Sequence, residues 1–265
     1  MSRPRWSLPG LGDPRWAILA FLVSYDLYAI ATPEFGRRPA QWAAGIGACL
    51  LSDLAFLRLR KVSLVPLSGL ISSLGLLLLL DSPFVWPYAL CGFLAIASKH
   101  LIRVDGRHVF NPLNFGCMTV LLLLPGWTTM DAGRWGNTSP LLITLVALGF
   151  LAAWRAKRLL VATAYLAVFF AGAWLRSQVW GAPMGTICAP ATGAAFHLFA
   201  FYMITDPATT PDRPTAGLAF GGAVGLLDAA LRQVEYRYAP LLALFLLCTA
   251  VPFWRRRSGQ APAHL

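Results

Sequence analysis

Apolar residues run along this chain in blocks too long for a half-buried strand or for one face of a soluble helix. About ten such blocks can be marked, near 17–32, 39–57, 62–80, 84–98, 113–125, 140–154, 159–175, 187–204, 215–231 and 239–254. Short polar breaks rich in Pro, Gly or charge separate them. An α-helix needs roughly 20 mainly apolar residues to cross the hydrocarbon core of a bilayer. Several blocks fall short of that, which predicts tilted, re-entrant or broken helices. The expected fold class is all-α. It is a polytopic membrane protein of about ten transmembrane helices, forming a single transmembrane domain over 1–265 with short terminal tails. Two five-helix halves, about 17–126 and 140–254, flank the polar stretch 127–139. An odd number of spans per half would make any repeat between them an inverted one. The polar breaks at 111–112 and 206–207 do not occupy matching places in the two halves, so they do not support that repeat.

Composition sharpens the picture. Hydrophobic residues make up 57% and charged ones 12%, with a mean hydropathy of +0.62; an ordinary soluble domain carries about 25% charged residues. A disordered chain, a coiled coil and most soluble enzymes are excluded, because one soluble core of this size cannot hide so much apolar surface. Nineteen Pro and 23 Gly suit broken or closely packed membrane helices. The net charge of +11 points to topology rather than nucleic acid. Numbering the loops alternately from an inside N-terminus puts 16 Lys/Arg inside and 6 outside. The bias predicts an inner-membrane protein with both termini cytoplasmic. The start of the chain looks like a signal peptide, but further spans follow at once, so it reads as an uncleaved first helix. Tryptophans such as Trp86, Trp127 and Trp180 fall near span ends, as interfacial anchors do. The five cysteines lie in or beside apolar blocks without a C-x-x-C pair and are expected to be reduced and inert. No metal-ligand set, G-x-G-x-x-G, P-loop or G-x-S-x-G is present.

Two polar stretches carry candidate chemistry. Residues 98–117 pack Lys99, His100, Arg103, Asp105, Arg107 and His108 before Phe110-Asn111-Pro112, with Asn114 following. Pro112 removes a donor and disfavours helix at Asn111. Asn111 and Asn114 can offer amide donors and acceptors to a ligand, or the stretch is a basic loop before a helix start. Residues 201–214 place Thr205, Asp206, Thr209 and Thr210 among three prolines. They can cap the next helix or hold the polar edge of a ring or a sugar hydroxyl. Asp26, His197 and Asp228 lie within apolar blocks. They are candidates for proton or redox coupling, or for interhelical hydrogen bonds. Asp53 sits near the inner end of its block and is expected to reach the interface.

The stretches SKHLIRVDGRHVFNPLNFG and FYMITDPATTP resemble the RnfD/NqrB family, the membrane subunits of Rnf and sodium-pumping NADH:quinone oxidoreductase complexes. The nearest likeness is to stand-alone RnfD-like proteins of enediyne biosynthesis clusters (UnbU type), to which Asp13-Pro14-Arg15 and Trp135-Gly136 add. The resemblance covers about 10–255. It implies ten helices in two five-helix halves, electron transfer, and FMN attached through its phosphate to a Thr. The family's Ser-Gly-Ala-Thr acceptor is missing from the loop after the fifth span, where Thr138 is the nearest candidate. The flavin, FMN or riboflavin, is therefore expected to be non-covalent. Asn111, Asn114, Thr205, Asp206 and Thr209 would contact it, with Lys99 and Arg103 at its phosphate. Expected partners are the lipid bilayer and redox proteins or quinone. Two alternatives stand beside this reading: a solute channel or exporter, and a non-catalytic membrane scaffold.

Overall fold

A computed structural model describes residues 9, 10, 12–32, 35–63, 65, 67–130 and 139–257. It is 74% helical with few strands. The chain divides into two compact units. Unit 1 is Met1–Arg103 with Pro112–Arg134, and unit 2 is Val104–Asn111 with Trp135–Leu265.

Unit 1 holds α1 (Pro14–Ala31), α2 (Pro39–Leu59), α3 (Leu67–Leu79), α4 (Trp86–Leu101) and α5 (Pro112–Leu123). Proline opens several of them at the first or second position, where its missing N–H is an orphan in any helix. Asp13 caps α1 by accepting the Arg15 amide at 2.9 Å. Helix α2 packs on α3 and α4, α4 on α5, and α1 on α3. The α4–α5 approach needs Gly116, since a Cβ there would stand 2.6 Å from the Cys91 carbonyl. Strand β1 (Leu80–Asp81) pairs antiparallel with β4 (Thr129–Met130), Leu80 facing Met130. Arg37 is buried against this end of α3. Its Nε donates to the Leu77 carbonyl at 2.6 Å and its Nη1 to Asp81 at 3.2 Å and to the Tyr88 hydroxyl. It thereby satisfies a carbonyl that the helix end leaves open.

Unit 2 holds α6 (Ser139–Arg155), α7 (Leu159–Trp180), α8 (Met184–Cys188), a 3₁₀ turn (Ala189–Thr192), α9 (Ala194–Leu198), a π turn (Phe199–Met203), α10 (Pro214–Gln233), α11 (Ala239–Cys248) and α12 (Val251–Arg257). Helices α7 and α10 lie closest. Gly217, Gly221 and Gly225 recur every four residues along α10 and face Val161 and Val168 of α7, the small-residue spacing of close membrane-helix pairs. The tertiary pair Tyr165–Asp228 crosses the same seam, the hydroxyl donating to Oδ2 at 2.9 Å.

Each predicted apolar block is occupied by helix, but the expected ten spans are not established. Among the described residues four helices are long and apolar enough to cross a membrane: Pro39–Leu59, Leu159–Trp180, Pro214–Gln233 and Ala239–Arg257. A fifth is obtained if Met184–Thr192 and Ala194–Met203, bent by 66°, count as one broken span. Leu67–Leu79 and Pro112–Leu123 are apolar but short. The four long helices bury only 22–39% of their most apolar windows. Apolar side chains such as Leu51, Phe170, Trp174 and Val179 face outward, as they do against lipid rather than water. The chain is a multi-pass membrane protein. The element orders of the two units do not establish an inverted repeat.

Candidate functional site

In unit 2 the two polar stretches meet. The first enters through a tight turn between β2 (Arg103–Val104) and β3 (Arg107–His108). Asp105 and Gly106 at its tip both have positive φ, +51° and +81°, as the commonest two-residue hairpin turns require. The second follows the π turn. There Thr205 Oγ1 donates to the Phe201 carbonyl at 2.7 Å. Asp206 folds the backbone back on itself: its Oδ1 accepts the Ala208 amide at 3.0 Å, and its carbonyl accepts the amides of Thr209 and Thr210 at 3.1 Å.

Asp206 joins the stretches. Its Oδ2 lies 3.2 Å from His108 Nε2 and accepts from Asn111 Nδ2 at 3.3 Å. Burial raises its carboxyl, but His108, the Ala208 amide and Asn111 outweigh this and hold it below the usual carboxylate range. A second acid, Asp212, accepts from Arg107 at 2.9 and 3.0 Å and from Arg158 at 2.7 Å. Arg158 also donates to Thr210 Oγ1 at 2.8 Å, and Arg255 donates to the Thr210 carbonyl. A small cavity lies beside this cluster, lined in part by Arg107, His108, Thr209 and Arg255. Its volume is about 20 Å³. That accommodates a water molecule, whereas a ring-sized ligand needs roughly 300–1,000 Å³.

The family model described as the NQR2, RnfD, RnfE family matches residues 123–260, just over half of the chain. The chain belongs to this family. No curated protein matches it. The match covers the Asp206 stretch and the helices around it but stops short of residues 98–117. In this family member the polar groups expected to hold flavin are already engaged. Asp206 is taken as described, Thr205 bonds its own helix, and Thr209 Oγ1 reaches the Asp206 carbonyl at 3.4 Å. Unit 2 therefore does not fit a flavin at Asn111, Thr205, Asp206 and Thr209. Asn114 is fully buried in unit 1. Thr138 lies outside the described residues.

Lys99 and Arg103 both bond within the protein. Lys99 Nζ donates to Asp53 Oδ1 at 2.9 Å, and Arg103 donates to the Lys99 carbonyl at 3.4 Å. Asp53 corrects a further expectation. It does not reach the interface but is fully buried, accepting His100 Nε2 at 2.8 Å and the Gly69 amide at 3.0 Å. Arg60, which can only donate, sits 3.4 Å from His100 Nδ1, so an Nε2–H tautomer would satisfy both neighbours. Sequence spacing gives no signal for a pair 46 residues apart; Asp near one block's inner end and Lys-His at another's was the sole hint.

The three coupling candidates part ways. Asp228 is satisfied, by Tyr165 and by Arg232 Nε at 2.8 Å. His197 donates Nε2–H to the Ala191 carbonyl at 2.7 Å, which leaves Nδ1 buried without a partner. Asp26 is buried, and among the described residues neither of its oxygens has a hydrogen-bond partner.

Proposed function

We propose that this chain is a membrane subunit of an electron-transport complex of the Rnf/Nqr type, working with redox partner proteins in the bacterial inner membrane. The observation that carries the reading is the junction at Asp206. Two stretches 95 residues apart, picked out by family likeness, close on each other through one carboxylate, and the later one lies inside the family match. The Lys/Arg bias supports a cytoplasmic side for this junction and for both termini. The finer placement among stand-alone RnfD-like proteins of enediyne clusters rests on Asp13-Pro14-Arg15 and Trp135-Gly136.

The chain's own residues supply a charged surface. His108 and Asp206 form an imidazole–carboxylate pair able to hold or pass one proton. Arg107, Arg158 and Arg255 surround Asp212 and leave the cluster net positive, suited to an acidic partner or anionic headgroups. Flavin supplies one- or two-electron transfer where it is bound. In this proposal it belongs to the assembled complex, because the cluster's polar groups are committed to each other.

The test is recovery of a tagged chain from its own membranes in mild detergent. Co-purification of flavin- or iron–sulfur-bearing subunits, weakened by Asp206→Asn, supports the proposal. A chain that always purifies alone, from membranes where it is expressed at its natural level, contradicts it.

A further inference from the structure

Asp26 stands apart from the other acids in the described apolar helices. Asp53 and Asp228 have both carboxylate oxygens in hydrogen bonds. Asp26 is buried too, at 4% exposure, and among the described residues has none. Its surroundings offer little compensation. Helix α3, which packs on α1, carries three serines and no ionisable residue. On α1 itself the neighbours are Tyr25 and Tyr28. The charged group that acts on it is Arg37. That guanidinium is already held by the Leu77 carbonyl, Asp81 and Tyr88, and lies over the Phe35 and Tyr88 rings at 4.8 and 5.1 Å.

An ionised carboxylate in apolar surroundings without donors is far costlier than the neutral acid. A bound metal cation would relieve it only with several further oxygen ligands. Among the described residues no group of three or more His, Cys, Asp or Glu gathers to help supply them. A proton needs one oxygen. An open groove lies one turn away. Ala29 and Ile30, one turn on along the same face of α1, wall an open groove of about 500 Å³ with Thr32, Phe35, Arg37 and Trp42, wide enough for water.

We propose that Asp26 is a site for one exchangeable proton, carried as the neutral acid inside unit 1 and reached from the groove at the end of α1. This does not depend on the electron-transport reading: the site binds its proton whatever unit 2 joins.

The experiment is infrared difference spectroscopy of the purified full chain at pH 7, wild type against Asp26→Asn. The variant keeps the shape and neutrality of a protonated Asp, so it should fold and melt with the wild type. A carboxylic-acid carbonyl band present in wild type, lost in the variant and shifted on transfer to D₂O supports the site. Should Asp26→Asn not fold, Asp26→Glu gives the same reading through a displaced band. A spectrum with no such band means that Asp26 is ionised and overturns the proposal. A band that does not move in D₂O overturns exchange, and one abolished by sodium at constant pH replaces the proton with a metal cation.

Discussion

The tightest contact in unit 2 is the place to perturb its packing. An Ala Cβ at Gly221 would fall on the Val161 carbonyl oxygen and lie 3.2 Å from Ala164 Cβ. The obstacle is backbone, so no rotamer relieves it, and α7 and α10 must part by roughly 1 Å to restore an ordinary C···O separation. Overpacking of this kind costs about 1–3 kcal/mol. The Tyr165–Asp228 bond of 2.9 Å crosses the same seam, and stretching it adds about 0.5–1.5 kcal/mol. Against this, Ala is the better helix former by about 0.8–1 kcal/mol. The clash wins, and Gly221→Ala is expected to lose about 1–3 kcal/mol net, which lowers Tm by roughly 2–10 °C. Gly47 in α2 is the control, because a Cβ there meets nothing within 4 Å. Gly47→Ala is expected to gain about 0.4–1 kcal/mol. Thermal unfolding of both in one detergent reads the difference. Equal or higher stability of Gly221→Ala would refute the close α7–α10 packing.

Other consequences follow from the buried charges. Asp53→Leu leaves Lys99 uncompensated and should cost about 3–5 kcal/mol; adding Lys99→Met should recover at least half by thermal melting, and no recovery would mean the pair is not coupled. Tyr165→Phe takes a donor from fully buried Asp228 and should cost about 1–3 kcal/mol, with a further loss smaller than additive when combined with Gly221→Ala. Asp206→Asn should cost about 1–3 kcal/mol at pH 7. Because the folded carboxyl lies below its ordinary value of 3.8, this contribution is complete above that pH and disappears as pH falls through the folded value. Melting curves of wild type and variant should therefore keep their gap above pH 3.8 and draw together as pH falls through the lowered folded value, and a gap that never narrows on acidification would contradict the assignment.

How much was legible beforehand follows the range of each signal. The helical blocks were legible because apolar runs are local, and their starts because Pro14, Pro39, Pro112 and Pro214 mark first positions. Broken helices were expected in general, from short blocks and from the Pro and Gly content, but nothing placed the 66° bend between Met184–Thr192 and Ala194–Met203. The meeting of Asn111 with Asp206 was suggested by family likeness alone; nothing in periodicity pairs residues 95 apart. Arg37 and Arg158 were read as topology charges. In the fold both are inward-facing hydrogen-bond hubs, because carbonyls and acids from distant segments need donors that only tertiary structure brings close. The internal bonds of the expected flavin set were illegible for a related reason. A sequence shows which side chains can bind a ring but not that they have already bound one another.

Visible absorption decides the central claim most directly. The chain is purified from its own membranes with associated subunits and then stripped of them. Flavin bands in the assembly, absent from the stripped chain, are the predicted result. Colour that stays with the stripped chain and is lost in Asp206→Asn would put the flavin in the cluster after all, and an assembly without any redox chromophore would contradict the electron-transport role.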